Sequence, residues 1–220
     1  MRYCYLIWDF DGTLFDTYPA LVRSIERALA DRDLVVPRGE LEGMLAQTLQ
    51  FCFETLVERF ALDADTFDAQ VDYYHRRTTV KDKPPFPGVI QICEHFVKAG
   101  GQNFIITHRD RDSLMQLLTW YKVEGLFAAT VTRDDGYARK PDPASFDALL
   151  DMHDLPRDQV LAVGDRDLDI LAGQAAGVHT CLFNATPGYG VQPDHVITSF
   201  AELENLLDIG SQPYRHTPGA

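Results

Sequence analysis

Short apolar runs that alternate with stretches of helical periodicity limit what this chain can fold into. The runs are Tyr3–Trp8, Asn103–Thr107, Ala128–Thr132, Val160–Gly164 and Thr180–Phe183. Each is too short for a helix and rich in β-branched, aromatic or other apolar side chains, as a strand enclosed on both faces would be. Helical patterns over Arg111–Tyr121, Pro143–Met152 and Leu168–Ala176 fit between them. Strand and helix in repeated alternation predict an α/β fold in which helices cover both faces of a parallel sheet.

The interval from Thr17 to Pro85 breaks this rhythm. Leu21, Ile25, Ala28 and Leu29 share one helical face, Phe51, Thr55, Leu56, Val57 and Phe60 suggest another, and no good strand intervenes. Lys83-Pro84-Pro85-Phe86-Pro87-Gly88 then acts as stiff punctuation. These features predict a small all-helical domain over 17–85, inserted into a discontinuous core of 1–16 and 86–210. The polar, Pro- and Gly-containing stretch 211–220 reads as a flexible tail.

Charge and composition exclude several classes. A formal net charge of −13 argues against nucleic acid or an anionic membrane as partner. No apolar run approaches the ~20 residues of a membrane span, and Tyr3–Trp8 is too short for a signal-peptide core. Cys4, Cys52, Cys93 and Cys181 are far apart and form no metal-binding pair, which suits reduced thiols in a cytoplasmic protein. Oligomeric state stays open between monomer and homodimer.

The chemistry gathers at the ends of the expected strands. Asp9-Phe10-Asp11-Gly12-Thr13 follows the first run directly. Residues two apart on a strand face the same way, so Asp9 and Asp11 share one space at the edge where open parallel sheets bind ligands. Gly12 lets the chain turn and exposes backbone N–H groups to an anion. The second run ends at Thr107-His108-Arg109, and the fourth ends at Gly164 followed by Asp165-Arg166-Asp167-Leu168-Asp169. Asp165 and Asp169 lie one helical turn apart and can converge. Taken singly, each has an ordinary explanation: an Asp that caps a turn, a Thr that caps a helix, acidic residues at a helix N-terminus, as suits a solvated Asp167. Acidic residues at several strand ends together suit Mg²⁺, which takes carboxylates along with substrate oxygens. Without a cation, Asp9, Asp11, Asp165 and Asp169 would repel one another. Lys140, within Arg139-Lys140-Pro141-Asp142-Pro143, offers a further positive charge.

With DFDGTLFDT at 9–17, KPDP from Lys140 and VGDRDLD from Val163 in this order, the chain resembles the haloacid-dehalogenase superfamily from Tyr3 to about Leu207. It is most similar to the phosphoglycolate-phosphatase-like branch, whose helical cap follows the first motif. The resemblance implies a Rossmann-like three-layer core with a central parallel sheet, and a Mg²⁺-dependent phosphatase acting on a small phosphorylated metabolite. It implies that Asp9 attacks phosphorus to form an aspartyl-phosphate. Asp11 protonates the leaving oxygen and later deprotonates water. Thr107 holds a phosphoryl oxygen, and Lys140 neutralises Asp9 and the phosphoryl group. Asp165, the Asp9 carboxylate and the Asp11 backbone carbonyl bind the metal, and Asp169 supports it from behind or through water. Asp11 must be protonated to act as an acid, so neighbouring negative charge is expected to raise its pKa. Gly12, Thr107, His108 and Lys140 form the expected phosphate site, and the inserted helices a lid.

Two features depart from the family pattern. His108 stands where Asn commonly follows the Thr, and it either touches substrate or bonds nearby backbone. Leu45-Ala46-Gln47-Thr48-Leu49 replaces a Gly-containing cap loop, so Gln47 and Thr48 either face the site or begin an exposed helix. Arg23, Arg76, Arg77, Lys81 and Lys83 are basic candidates for reading an anionic leaving group or are solvated charges. Phe51, Phe53, Phe60, Tyr73 and Tyr74 are expected in the cap core. A phosphoglucomutase-like phosphotransferase would use the same intermediate, and a non-catalytic binding domain could keep the fold alone.

Overall fold

The computed structural model describes residues 2–184, 188 and 190–209. The expected tail, 211–220, lies outside the described residues. The chain divides into two compact units: one runs up to Leu14 and resumes at Phe86, and the other is Phe15–Pro85.

The strands of the first unit are β1 (Tyr5–Trp8), β2 (Gln102–Ile106), β3 (Phe127–Val131), β4 (Val160–Gly164), β5 (His179–Phe183) and β6 (His195–Ile197). They form a six-stranded sheet in the order β3-β2-β1-β4-β5-β6, parallel throughout. Side chains alternate across each strand. Ile7, Phe104, Ile106, Val160 and Ala162 reach one face, where they pack with Phe146, Leu149 and Leu150 of α7 (Ala144–Met152) and Ala172 of α8 (Asp167–Ala175). The other face carries Trp8, whose ring lies 6.0 Å from Phe200 of α9 (Phe200–Leu207). Phe200 stacks on Phe183 at 4.4 Å. Ile92, Cys93 and Phe96 of α5 (Val89–Lys98) are buried, as are Leu114, Leu117 and Leu118 of α6 (Arg111–Tyr121). The result is the expected three-layer, Rossmann-like α/β architecture.

The expected strands differ from those found by at most two residues at either end. β6, α5 and α9 are not among the elements expected above. β6 is three residues at a sheet edge, too short to show alternation. The apolar face of α5 starts directly after Gly88, where the proline-rich punctuation masks the helix start. Cys52, Cys93 and Cys181 are buried and Cys4 is half-buried, all as free thiols.

The second unit contains α1 (Tyr18–Ala30), α2 (Arg38–Gln47), α3 (Leu49–Phe60) and α4 (Ala64–His75). Its core joins Val22, Ile25, Ala28 and Leu29 to Leu41, Leu45, Cys52, Leu56, Phe67 and Val71. An isolated bridge between Phe15 and Pro85 and a bond from Asp16 N–H to Pro84 O (2.8 Å) close its two ends together. Phe53, Phe60 and Tyr74 pack partly against the core, but Phe51 and Tyr73 are 39% and 47% exposed. α3 buries the Cys52–Leu56 face, so Phe51, about 100° away around the helix, points outward. Tyr73 instead offers its ring to Arg77, whose Cζ lies 3.4 Å from the centroid. Gln47 ends α2, and Thr48 caps α3 by accepting the Phe51 N–H (2.9 Å), so Thr48 is a helix start.

Asn103 is a polar residue sealed inside the apolar layers, at 0% exposure. Its Oδ1 accepts the Trp8 indole N–H (3.0 Å), and its Nδ2 donates to Cys93 O (3.1 Å) and Leu126 O (3.2 Å). One side chain thus joins β1, α5 and the approach to β3. Asn103→Ala leaves an N–H and two carbonyls without this partner. It is expected to lower the unfolding free energy by roughly 2–4 kcal/mol, read from urea denaturation.

Candidate active site

β1 lies between β2 and β4: the chain winds from β1 through β2 to β3 in one direction and from β4 through β5 to β6 in the other. Such a reversal opens a crevice beyond the carboxyl ends of the strands. Asp9 follows β1 and donates its N–H to Val163 O (2.9 Å); Thr107 follows β2 and donates its N–H to Val131 O (2.9 Å). Asp165 follows β4, Asp169 stands in the first turn of α8, and Lys140 lies between β3 and α7.

Lys140 is the centre of the arrangement. Its ammonium group donates to Asp9 Oδ1 (2.6 Å), Asp169 Oδ1 (2.6 Å) and Ile106 O (3.0 Å), and its side chain is 1% exposed. An ammonium has three hydrogens, and all three are used. Burial works against the charge on Lys140, but Asp169 and Asp9 outweigh it and hold the pKa above its ordinary value. Burial pushes the Asp9 carboxyl up to about 6, against the pull of Lys140. Asp169 is equally enclosed, yet Lys140, Arg166 and the Arg166 N–H on its Oδ2 (3.1 Å) overcome burial and hold it below the usual carboxylate range. Asp169 presses against β4: a Cβ on Gly164 would lie 2.3 Å from the Cβ of Asp169. Only glycine admits the side chain there.

Gly12, at φ +86°, takes the left-handed turn for which glycine was expected. The next residue, Thr13, donates its hydroxyl to Asp165 Oδ1 (3.1 Å). Carboxylate oxygens of Asp9, Asp165 and Asp169 lie within 4.8 Å of one another. Asp9 Oδ2 is buried and has no hydrogen-bond partner. An unpartnered buried carboxylate oxygen beside two further carboxylates fits a hard cation with oxygen ligands.

Asp11 faces a cation. Its Oδ2 accepts Arg109 Nε (3.2 Å), and its Oδ1 accepts Arg109 Nη2. The neighbouring negative charge expected around Asp11 is therefore offset by a guanidinium to which the sequence reading assigned no role. Thr107 Oγ1 accepts the Arg109 N–H (3.1 Å). His108 uses its ring on backbone: Nε2 accepts the Lys140 N–H (2.9 Å). Asp167, expected in solvent, is half-buried, and both of its oxygens accept the Gly188 N–H (3.0 and 3.1 Å). Of the basic residues in Phe15–Pro85, Arg23 pairs with Asp82 (2.9 Å), Arg76 pairs with Asp72 (2.7 Å), and Arg77 covers Tyr73.

Residues 6–183 match the haloacid dehalogenase-like hydrolase family. The chain belongs to this family. It is 30% identical over 222 residues to a phosphoglycolate phosphatase of Aliivibrio fischeri, covering 93% of this chain and 96% of that protein. It is 31% identical over 220 residues to a phosphoglycolate phosphatase of Yersinia pestis, covering 93% of each. A crystal structure of a hydrolase from Streptococcus pneumoniae superposes with a TM-score of 0.68 at 28% identity, covering 94% of this chain and 100% of that one. No helix among the described residues is long and apolar enough to cross a membrane.

His108 gives the site a measurable pH dependence. Burial first, then Lys140, Arg139 and Arg166, push its imidazole down from 6.5 to about 4. Between those values the unfolded chain holds a proton that the folded chain does not. Its contribution is therefore complete above the unfolded pKa and is lost as pH falls from about 6.5 towards 4. His108→Asn is expected to narrow the difference in melting temperature between pH 7.5 and pH 5. After allowance for the ring's partial exposure, the effect is on the order of 1 kcal/mol. An unchanged difference would place the acid sensitivity elsewhere.

Proposed function

We propose that this hydrolase is a phosphatase that cleaves a small phosphate monoester through an aspartyl-phosphate on Asp9. The observation that carries the reading is the state of the Asp9 carboxylate: one oxygen is fixed by Lys140 at 2.6 Å, and the other is buried without a partner at the end of β1. A carboxylate so oriented is a nucleophile whose geometry is set before substrate arrives. Asp9, Asp165 and the Asp11 backbone carbonyl would hold Mg²⁺, supported by Asp169. When bound, the cation neutralises charge shared by the carboxylates and the phosphoryl oxygens.

The chain's own groups account for the remaining steps. An Asp9 oxygen attacks phosphorus while the ester P–O bond breaks, and Asp11 passes a proton to the departing alkoxide. Asp11 then removes a proton from water as that water attacks phosphorus, and inorganic phosphate leaves with Asp9 regenerated. The Thr107 oxygen already accepts the Arg109 N–H, so its hydroxyl hydrogen is available to a phosphoryl oxygen. His108 acts on this site by holding the Lys140 backbone. Phosphoryl transfer asks mainly for positioning and charge stabilisation, which these residues supply. The relatives from A. fischeri and Y. pestis are named for phosphoglycolate and match along 93% of this chain, so phosphoglycolate is the ester to test first.

Asp9→Asn is expected to reduce phosphate release by at least about 10³-fold, with no loss of melting temperature, since it removes a buried charge and keeps an acceptor for Lys140. Near-normal turnover of p-nitrophenyl phosphate by this variant would reject Asp9 as nucleophile. Dialysis against a chelator is expected to abolish turnover and added Mg²⁺ to restore it. Asp165→Asn should raise the Mg²⁺ concentration required for half-maximal activity, measured by titration. A wild-type rate indifferent to chelation would rule the metal out.

A further inference from the structure

Arg109 lies beside the acid–base residue, and its partner stands where a substrate could displace it. Resting on the phosphatase reading above, we propose that Arg109 reads a carboxylate carried by the leaving group of the substrate, and that Asp11 occupies that carboxylate's place in the free protein.

The contact itself is the guide to the ligand class. Arg109 presents Nε and Nη2 side by side to the two oxygens of Asp11. That parallel fork is how arginine recognises a carboxylate, whereas a lysine offers only a point charge. The guanidinium is also held independently of Asp11. Its Cζ lies 5.4 Å from the centroid of the Phe10 ring, and Nη1 reaches Ser113 Oγ at 3.4 Å. The Arg109 side chain is 11% exposed and that of Asp11 27%, so the carboxylate is the partner nearer solvent.

The proposed reaction needs this pair to open. Asp11 must turn an oxygen towards the ester oxygen on phosphorus at Asp9, while in the free protein both of its oxygens lie on the fork. A largely enclosed guanidinium left without an anion is costly. A carboxylate arriving with the substrate removes that cost and releases Asp11 in the same exchange. Lys140 cannot serve as the reader, because its three hydrogens are committed to Asp9, Asp169 and Ile106 O. The favoured substrates are therefore short phosphomonoesters whose alcohol bears a carboxylate. Phosphoglycolate is one such ester.

The test compares phosphoglycolate with ethyl phosphate, which has a methyl group in place of the carboxylate and an equally poor leaving alcohol. With Mg²⁺ present, kcat/KM is measured for both esters in the wild type, Arg109→Gln and Arg109→Lys. The wild type is expected to prefer phosphoglycolate by about 100-fold. Arg109→Gln should reduce that preference to within about 5-fold, chiefly by raising KM for phosphoglycolate, with Arg109→Lys between the two. If Arg109→Gln folds poorly, the Arg109→Lys preference decides. A wild type indifferent to the carboxylate, or variants that slow both esters equally, would overturn the inference while leaving the phosphatase reading intact. A wild type that releases phosphate from neither ester, nor from p-nitrophenyl phosphate, would overturn that reading and the inference with it.

Discussion

The ammonium of Lys140 holds together two strand ends and a helix start that the sequence keeps far apart. Asp9 is 131 residues away, Ile106 is 34 and Asp169 is 29. Each contact fixes a different part of the crevice: the end of β1, the end of β2 and the first turn of α8. Burying an ammonium and two carboxylates is expensive, and their attraction offsets that expense only when every hydrogen and most lone pairs are matched. Here every Lys140 hydrogen is matched, and the orphan is an oxygen of Asp9. The unmatched atom therefore falls on the side chain that the reaction would use.

Lys140 alone does not distinguish two equally buried carboxylates. Both lie 2.6 Å from the ammonium, yet Asp9 titrates above the ordinary range and Asp169 below it. The difference lies in the neighbours: the charge of Asp169 raises Asp9, and the two second oxygens are served differently. That of Asp169 takes the Arg166 N–H, whereas that of Asp9 takes no donor. With Asp165 alongside, three carboxylates face the Lys140 ammonium and the charge of Arg166. A cation held by these carboxylates would offset the negative charge that remains.

Much of this was legible in the sequence, for a physical reason. A parallel strand buried on both faces is a short apolar run, and the residue just past its end is forced to the rim where ligands bind. Asp9, Thr107 and Asp165 could therefore be placed from pattern alone. Residues whose work depends on a close approach were harder to place. Gly164 looks like an ordinary strand end until the Cβ of Asp169 is set against it. His108 stands beside Thr107, but its target is the backbone of Lys140, 32 residues away, and no periodicity encodes that bond. Arg109 was in plain view within Thr107-His108-Arg109, and its bond to Asp11 spans 98 residues. In the helical unit, the face of α1 was readable from Ile25, Ala28 and Leu29. The face of α3 was readable from Leu56, Val57 and Phe60, but Phe51 is exposed and Cys52, a smaller side chain, is the one that turns inward.

A net charge of −13 sits oddly beside a site meant for phosphate esters, and the local cations resolve the conflict. Exposed charges are screened over about 8 Å at physiological ionic strength, so the global excess of acid is felt weakly inside a crevice. Lys140 and Arg166 both pull the Asp9 carboxyl down, Arg139 acts on His108 alongside them, and Arg109 stands at Asp11. These cations come from the segments that follow β2, β3 and β4, whereas the site's acidic residues follow β1 and β4. Burial strengthens Lys140 and Arg109 relative to a surface lysine, because less water lies between charge and target. An incoming phosphate ester therefore meets a site whose field is set mainly by a few nearby groups.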